Sequence, residues 1–296
     1  MISPETTRAP ELSDETFALF QQLILREMGI RMRGSKKILV ANRLRRRLAA
    51  LKLPSYEHYY RYLTRSEKAA EEIPNFVGAI STNETYFYRG ENQFAALREE
   101  VLPRLLQSPA RQQGTKRLTI WSAGSSSGEE PYTIYMVAEE ALRALHWAGE
   151  LAIVATDISR EMIAAARQGE YSGRSFRAMP ARYLEEYFDE LGGGRFRVQE
   201  RVKSHVQFQV HNLLRDDPPG TRFDLIFCRN VLIYFDRVNQ TRLVDEKLAP
   251  ALAPDGFLFI GNSESLLGGS RRFKYAQLHR CPIYRLSDAP AGEARG

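Results

Sequence analysis

The chain has 296 residues, of which 43% are hydrophobic and 26% are charged, as is typical of a folded globular protein. It contains only two cysteines, so the composition indicates neither a disulfide framework nor a cysteine-based zinc site. The net charge of +6 favours an acidic partner. This excess is local, because residues 26–52 carry ten Lys and Arg and one acid, Glu27, which leaves −3 for the rest.

The N-terminal stretch MISPETTRAPELSDE is polar and lacks an apolar core, so we expect no secretory signal. No run approaches the ~18 apolar residues that a membrane-spanning helix needs. No group of His, Cys and Asp has the spacing of metal ligands. We therefore expect a soluble, cytoplasmic protein without a metal ion.

Residues 1–80 have helical periodicity and are predicted to form a small all-helical domain. Ser13 or Asp14 is expected to cap a first helix, and Gly29 to end it. A second amphipathic helix is predicted from about 38 to 51, with arginines beside a leucine stripe. The segment SYEHYYRYLTR predicts a third, short helix.

After SPARQQGTK (residues 108–116), apolar strand-like runs alternate with helix-like runs. This pattern predicts an α/β domain over residues 81–286, with a Rossmann-like parallel sheet covered on both faces. FKYAQL and CPIYRL are expected to close the sheet as a hairpin. Period-two patterning between about 183 and 211 predicts a small antiparallel β insert that turns at Gly192–Gly194. Residues 287–296 are expected to be a disordered tail.

The loop WSAGSSSGEEP follows the first predicted strand of the sheet. Ligands bind at the carboxyl ends of parallel strands, and small residues such as Ala123 and Gly124 allow a ligand to approach the backbone. Glu129 and Glu130 would repel a phosphate and favour a positively charged ligand. The alternative is a tight turn whose acids only cap the following helix.

Asp157 ends the second predicted strand, where an acid usually binds a ribose diol in nucleotide-binding folds. It could instead cap the next helix. A Gly/Ser loop, two acids and this aspartate together suit S-adenosylmethionine, which carries a ribose, a sulfonium and an amino group.

Two further segments carry polar side chains suited to the same ligand. ISTNETYFYRGENQF includes Arg89, whose guanidinium fits a carboxylate, although the segment could be a plain interdomain loop. FCRNVLIYF places Arg229, Asn230 and Tyr234 after a later strand. Tyr234 could belong to the core, but an aromatic face beside a sulfonium would stabilise the cation.

The motifs NETYFYR, IWSAGSSSGEEPY, ATDIS, HNLL, IFCRNVLIYF and FIGNSESL occur in this order. Together they strongly resemble the chemotaxis receptor glutamate methyltransferases, the CheR family, over residues 15–286. The resemblance implies a helical N-terminal domain, an S-adenosylmethionine-dependent methyltransferase domain and a small antiparallel β-subdomain. In some members this subdomain binds a tether peptide of the receptor, but the turn ELGGGRF here is short.

The resemblance also implies roles for individual residues. Arg89 and Tyr234 match residues near the transferred methyl group. The implied cofactor-binding residues are Asn83, Thr85, Arg89, Ala123, Gly124, Glu129, Asp157, Asn212, Leu213, Arg229 and Asn230. The resemblance does not decide whether Glu129 or its neighbour Glu130 faces the ligand. The basic helix, with Arg43, Arg46 and Arg47, is expected to grip a glutamate-rich receptor bundle, unless it is only a solvated helix face.

The implied reaction transfers a methyl group to receptor glutamates and yields methyl esters and S-adenosylhomocysteine. Because a carboxylate is ionised near pH 7, no strong general base is needed. We expect no nucleic-acid partner, and contact with membranes only through the receptor. Two alternatives remain at this point: a non-catalytic module that binds S-adenosylmethionine to regulate a partner, and an RNA methyltransferase.

Overall fold

The computed structural model describes residues 10–108, 116–276 and 278–287. The chain divides into two compact units, Met1–Thr82 and Asn83–Gly296. Three predictions fall largely outside the described residues. They concern the N-terminal stretch, in which we expect no secretory signal, the connecting segment 108–116 and the tail predicted to be disordered. In the part that is described, no helix is both long enough and apolar enough to cross a membrane.

The described part of the first unit contains four α-helices, α1 (Asp14–Met28), α2 (Lys37–Ala50), α3 (Tyr56–Arg65) and α4 (Ala69–Ile80), and a 3₁₀ turn, Gly34–Lys36. The predicted ends of α1 are correct. The Ser13 side chain accepts a hydrogen bond from the Thr16 amide, and Gly29 ends the helix in the left-handed region at φ 69°. Aromatic rings of three helices pack together inside this unit, with the Phe20 and Phe76 centroids 6.0 Å apart.

A buried carboxylate joins three helices of the first unit. Glu72 is 4% exposed and forms a bidentate ion pair with Arg47, at 2.8 and 2.7 Å. It also accepts hydrogen bonds from Tyr59, at 2.8 Å, and from Asn75, at 2.9 Å. Burial alone would raise the pKa of Glu72, but these donors outweigh burial and hold the pKa below its ordinary value.

We predict that Glu72→Ala lowers the free energy of unfolding of the full chain by about 3 kcal/mol, because it leaves the partly buried Arg47 guanidinium without a counter-ion. Since folding lowers the pKa of Glu72, its stabilisation is present above about pH 4.5 and is lost as the pH falls further. Calorimetric unfolding between pH 3 and 7 measures both effects. Glu71→Ala, at an exposed position of the same helix, is the control and should change little. Equal losses in the two variants would contradict the prediction.

A seven-stranded sheet forms the centre of the second unit, in the order β6-β2-β1-β7-β8-β10-β9. Its strands are β1 (Arg117–Ala123), β2 (Glu150–Asp157), β6 (Val206–Val210), β7 (Phe223–Cys228), β8 (Leu252–Ile260), β9 (Phe273–Tyr275) and β10 (Ile283–Leu286). The strands from β6 to β8 in this order are parallel. The predicted closing hairpin, β9 and β10, adds two antiparallel strands.

Helices cover the sheet on both faces, as the alternating pattern predicts. They are α5 (Glu91–Ala96), a π-helical turn (Leu97–Val101), α6 (Leu102–Leu106), α7 (Glu129–Ala144), α8 (Arg160–Gln168), α9 (Ala181–Tyr187), α10 (Glu200–Lys203), α11 (Arg237–Arg242), a second π-helical turn (Leu243–Leu248) and α12 (Ala249–Ala251). Successive residues of β7 enter opposite cores, with Phe227 in one and Cys228 in the other. Both cysteines are buried and unpaired.

The small antiparallel sheet differs in extent from the predicted 183–211 insert. It consists of β3 (Glu170–Ser172), β4 (Phe188–Gly192) and β5 (Arg195–Val198), in the order β3-β5-β4. The turn at 192–194 is where it was predicted, and its three glycines have positive φ. The last part of the predicted insert, β6, instead forms the edge of the main sheet beside β2. Alternating polarity predicts a strand but not the sheet that the strand joins.

Candidate functional site

The parallel strands β1, β2, β7 and β8 all have their carboxyl ends on the same side of the main sheet. The loops that follow these strands hold most of the predicted site residues. Ala123 ends β1 and is fully buried. The amides of Gly124 and Ser125 both donate to the Thr156 carbonyl of β2, at 2.8 and 2.9 Å. Gly124 has φ +85°, and a Cβ there would lie 2.5 Å from Val231 Cγ2. Packing against the loop after β7 therefore already requires this glycine.

Asp157, at the end of β2, holds the Gly/Ser loop in place. Its two carboxylate oxygens accept the amides of Ser126 and Ser159, each at 2.9 Å. The alternative role of Asp157 as a helix cap is not what the structure shows, because Ser159 is the N-cap of α8 and its own side chain accepts the Met162 amide. Burial raises the pKa of Asp157 against these hydrogen bonds. Beside it, the Ser125 hydroxyl is buried and has no hydrogen-bond partner among the described residues.

The two acids at the start of α7 have different partners. Glu130 accepts hydrogen bonds from Ser122, at 2.8 Å, and from Arg229, at 3.0 Å. Glu129 is 3% exposed and accepts hydrogen bonds from the hydroxyls of Ser127, at 2.7 Å, and Ser175, at 3.2 Å, and from its own backbone amide. Burial raises the pKa of Glu129 despite these two donors. Within the described ranges, Glu129 is thus a buried carboxylate without a cation beside it.

Arg229 follows β7 and lies at the centre of a buried polar network. Its side chain is 3% exposed, and each of its three nitrogens donates to a protein oxygen. The acceptors are the side chains of Gln93 and Glu130 and the carbonyl of Arg89. Burial lowers the pKa of Arg229 and raises that of Glu130, while their mutual attraction opposes both shifts. Arg229 thus joins three separate parts of the chain by hydrogen bonds, a structural role that the sequence did not predict.

The segment 83–89 borders the Gly/Ser loop. The Ser126 hydroxyl donates to the Asn83 carbonyl at 3.3 Å. Buried Phe87 and Tyr88 fix the segment through their amides, which donate to the Ser175 carbonyl at 2.9 Å and to Thr133 Oγ1 at 3.2 Å. The side chain of Arg89 is directed by a 2.6 Å hydrogen bond from its Nη1 to the Glu84 carbonyl. Thr85, between these anchors, is half-buried.

The segment after β6 is tied to the end of β2, because the His211 amide donates to the Asp157 carbonyl at 2.9 Å. Asn212 Oδ1 accepts the amides of Leu214, at 3.1 Å, and Arg215, at 3.3 Å, and so closes a turn. Leu213 is 9% exposed. Asn212 and Leu213, two of the implied cofactor-binding residues, therefore directly follow a residue that is hydrogen-bonded to Asp157.

A carboxylate that the sequence did not single out shapes the loop after β7. Glu264, which follows β8, is 8% exposed and accepts the amides of Asn230, at 2.9 Å, Ile233, at 3.1 Å, and Gly261, at 2.6 Å. Asn230 is held in the left-handed region, at φ 58°. The motif GNSES (residues 261–265) places an acid shortly after the end of β8. That position is the sequence signal from which a role for Glu264 near the site could have been predicted.

Tyr234 lies in a half-buried 3₁₀ turn, Leu232–Tyr234, after β7. The turn is fixed by Gln240, whose Nε2 donates to the carbonyls of Leu232, at 2.9 Å, and Phe235, at 3.1 Å. In the part of the chain that the structure describes, neither a hydrogen bond nor a ring contact joins Tyr234 to Arg89. The two residues implied at the methyl group thus lie on separate parts of the chain, the segment 83–89 and the turn after β7.

The three arginines predicted to dock a receptor have different surroundings. Arg47 is engaged by Glu72, as described above. Arg43 donates to the Ile80 carbonyl and, at 3.0 Å, to Thr82 Oγ1, at the C-terminal end of α4. Arg46 and its neighbour Arg45 are exposed. Amphipathic patterning cannot separate arginines that pack within a helical unit from those that face solvent.

We predict that Arg229→Ala lowers the free energy of unfolding of the second unit by about 3–5 kcal/mol, because Glu130 is left buried without a counter-ion. Urea unfolding of the full chain, followed by fluorescence of Trp121 and Trp147, measures this loss. Arg242→Ala is the control, since its ion pair with Glu246 is exposed and long, at 3.5 Å. A loss below 1 kcal/mol for Arg229→Ala would contradict the assignment.

Comparisons with known proteins agree with the division into two units. Residues 15–81 match the family description "CheR methyltransferase, all-alpha domain", and residues 83–281 match "CheR methyltransferase, SAM binding domain". The chain is 36% identical over 288 residues to the chemotaxis protein methyltransferase of Escherichia coli. The aligned region covers 96% of this chain and 94% of that protein. It is 34% identical over 274 residues to chemotaxis protein methyltransferase 1 of Pseudomonas aeruginosa, with 91% and 97% covered.

These matches confirm the predicted helical domain, the methyltransferase domain that follows it and S-adenosylmethionine as cofactor. They do not favour an RNA methyltransferase or a purely regulatory module. The structure supplies no group of His, Cys, Asp and Glu, among its described residues, that could hold a metal ion. Two matched domains in the right order, and identity above 30% over nearly the whole length, decide the classification: the chain belongs to the CheR methyltransferase family.

Proposed function

We propose that the protein transfers the methyl group of S-adenosylmethionine to glutamate side chains of chemotaxis receptors and forms glutamate methyl esters. The observation that carries the proposal is Glu129, a buried carboxylate that has hydroxyl and amide partners but, among the described residues, no cationic one. A buried charge is costly without a partner of opposite sign. S-adenosylmethionine brings two positive groups, its sulfonium and its ammonium, to satisfy it.

The surrounding residues fit the cofactor. The unpartnered Ser125 hydroxyl supplies a buried polar atom beside the loop, and Asp157 supplies an acid for the ribose. The remaining proposed contacts come from Asn83, Thr85, Ala123, Gly124, Asn212, Leu213 and Asn230. Arg229 is proposed to support the site rather than to bind the cofactor, because its nitrogens already donate to Gln93, Glu130 and the Arg89 carbonyl.

The proposed mechanism needs alignment rather than proton transfer. When bound, S-adenosylmethionine supplies an activated methyl group on its sulfonium. The acceptor carboxylate is ionised near neutral pH, so the protein has to orient it and keep water away. We assign the orienting role to Arg89, whose side chain is directed by the Glu84 carbonyl. Tyr234 would line the reacting side with its aromatic ring.

The acceptor is proposed from the relatives, which are named chemotaxis protein methyltransferases. An acidic helical bundle would suit the exposed side of α2, where Arg45 and Arg46 face solvent. Arg43 and Arg47 would support this surface indirectly, through their contacts with α4. In this proposal the protein meets a membrane only through the receptor, and it binds no nucleic acid.

The test is transfer of labelled methyl groups from S-adenosylmethionine to membranes that contain a chemotaxis receptor. The expected product is a labelled receptor band whose label is released by base as methanol, as an ester requires. Arg89→Ala should lose most of the turnover. Label that resists base, or label on RNA in a mixed assay, would overturn the proposal.

We predict that Glu129→Gln weakens binding of S-adenosylmethionine about tenfold at pH 7.5, because a charge-assisted contact is lost. Since burial raises the pKa of Glu129, affinity of the unmodified protein should fall as the pH is lowered towards that raised pKa, where the carboxylate becomes neutral. Titration calorimetry between pH 5 and 7.5 measures both effects, and the variant should lack most of the pH dependence.

The stability of the cofactor-free protein provides an independent check on Glu129. A raised pKa means that the folded state binds more protons, so stability should fall as the pH rises through the raised pKa. Glu129→Gln should remove that fall. Glu161→Gln, at an exposed position in α8, is the control and should match the unmodified protein in both measurements.

We predict that Arg46→Glu raises the Michaelis constant for receptor about fivefold at low salt, because it replaces an attraction to acidic side chains by a repulsion. The difference should shrink at 0.5 M salt. The dissociation constant of S-adenosylmethionine should not change. Arg65→Glu, at an exposed position in α3, is the matched charge reversal, and an equal effect there would contradict docking at α2.

A further inference from the structure

Three apolar side chains stand out on the surface of the second unit. Val238 and Leu267 are each 77% exposed and Ile233 is 53% exposed, more than any other large apolar residue described in that unit. Ile233 lies in the 3₁₀ turn after β7, Val238 lies in α11, and Leu267 lies in the loop after β8. We call these three residues the apolar platform. Exposure of large apolar side chains is costly in water and often marks an interaction site.

The backbone under the apolar platform is firmly held. Arg237, next to Val238, donates to the Gly268 carbonyl, next to Leu267. Thr241 Oγ1 donates to the Gly269 carbonyl at 3.1 Å. The Ile233 amide donates to the buried Glu264 carboxylate at 3.1 Å. These bonds join the two loops, so the platform is a preformed surface that needs little ordering when a partner binds.

The two chain segments that carry the apolar platform are basic. Segment 231–242 contains Arg237 and Arg242 against one acid, Asp236. Segment 265–274 contains Arg271, Arg272 and Lys274 and no acid. Apolar side chains on basic segments are complementary to an amphipathic helix whose polar side carries glutamates. Residues 83–296 carry a net charge of +1, and those outside the two segments sum to −3, so the bias belongs to these segments.

The position of the platform indicates its occupant. Ile233 directly precedes Tyr234, and both residues belong to one 3₁₀ turn. We have assigned Tyr234 to the side of the site where the methyl group is transferred. Glu264 anchors this turn and also Asn230 of the cofactor site. We propose that the apolar platform binds the acceptor helix of the receptor beside the glutamate that is methylated. This inference rests on the proposed function and assigns it a substrate-binding surface.

The test uses Leu267→Ser, Val238→Ser and their combination in the full chain, with a purified cytoplasmic fragment of a chemotaxis receptor as probe. Steady-state methylation gives the turnover number and the Michaelis constant, and surface plasmon resonance gives affinity for the fragment without catalysis. Leu145→Ser is the matched control, because Leu145 is 42% exposed and follows α7, whose other end lies at the site. Circular dichroism verifies that each variant is folded.

The double variant should raise the Michaelis constant and the dissociation constant of the fragment about tenfold, as loss of apolar anchors does. Turnover at saturation and affinity for S-adenosylmethionine should stay unchanged. Constants equal to those of Leu145→Ser would overturn the inference, even if the unmodified protein methylates the receptor. So would a change confined to self-association, measured by sedimentation, since the platform would then bind a second copy.

The same experiment separates this inference from the proposed function. If the unmodified protein binds the fragment through the platform but forms no methyl ester, the proposed function fails and the docking surface stands. If it neither binds nor methylates the fragment, both fail.

Discussion

A buried guanidinium is the constraint on which the candidate site depends. Arg229 has almost no contact with water, so its charge must be balanced and its nitrogens must be paired inside the protein. Glu130 supplies the charge, and Gln93 and the Arg89 carbonyl supply further acceptors. These partners lie 99, 136 and 140 residues away in the chain. The network therefore holds the start of α7, the start of α5 and the segment 83–89 against the end of β7.

The same network explains how two adjacent acids take different roles. Glu130 is paired with Arg229, whereas Glu129 has no cationic partner among the described residues. A buried carboxylate without a counter-ion favours binding of a cation, because the cation offsets the cost of burying the charge. Asp157 is different again, since each of its oxygens accepts one backbone amide, that of Ser126 in the Gly/Ser loop or that of Ser159 at the start of α8. Asp157 thus fixes the conformation of the Gly/Ser loop, whereas Glu129 makes the site beside the loop favourable for a cation.

Local patterns in the sequence predicted much of the fold and less of the site. The Ser13 and Gly29 ends of α1, the strands β1, β2, β7 and β8, and the closing hairpin all follow from capping, periodicity and apolar runs. The assignment of β6 to the main sheet depends on long-range pairing, which no local pattern contains. The roles of Gln93 and Glu264 were missed for the same reason, because their partners are distant along the chain. Likewise, the basic stretch could be located by counting, but the burial of Arg47 against Glu72 could not.

The two buried cysteines have a practical consequence. Cys228 ends β7 immediately before Arg229, and burial raises the pKa of its thiol and of the Cys281 thiol. Alkylating reagents and most oxidants attack the thiolate, so both native sulfurs should be inert while the chain is folded. A single cysteine introduced on the surface could then carry a spin label or a fluorophore without removing either native one. Distances between the two units and a bound acceptor thus become measurable in an otherwise unaltered protein.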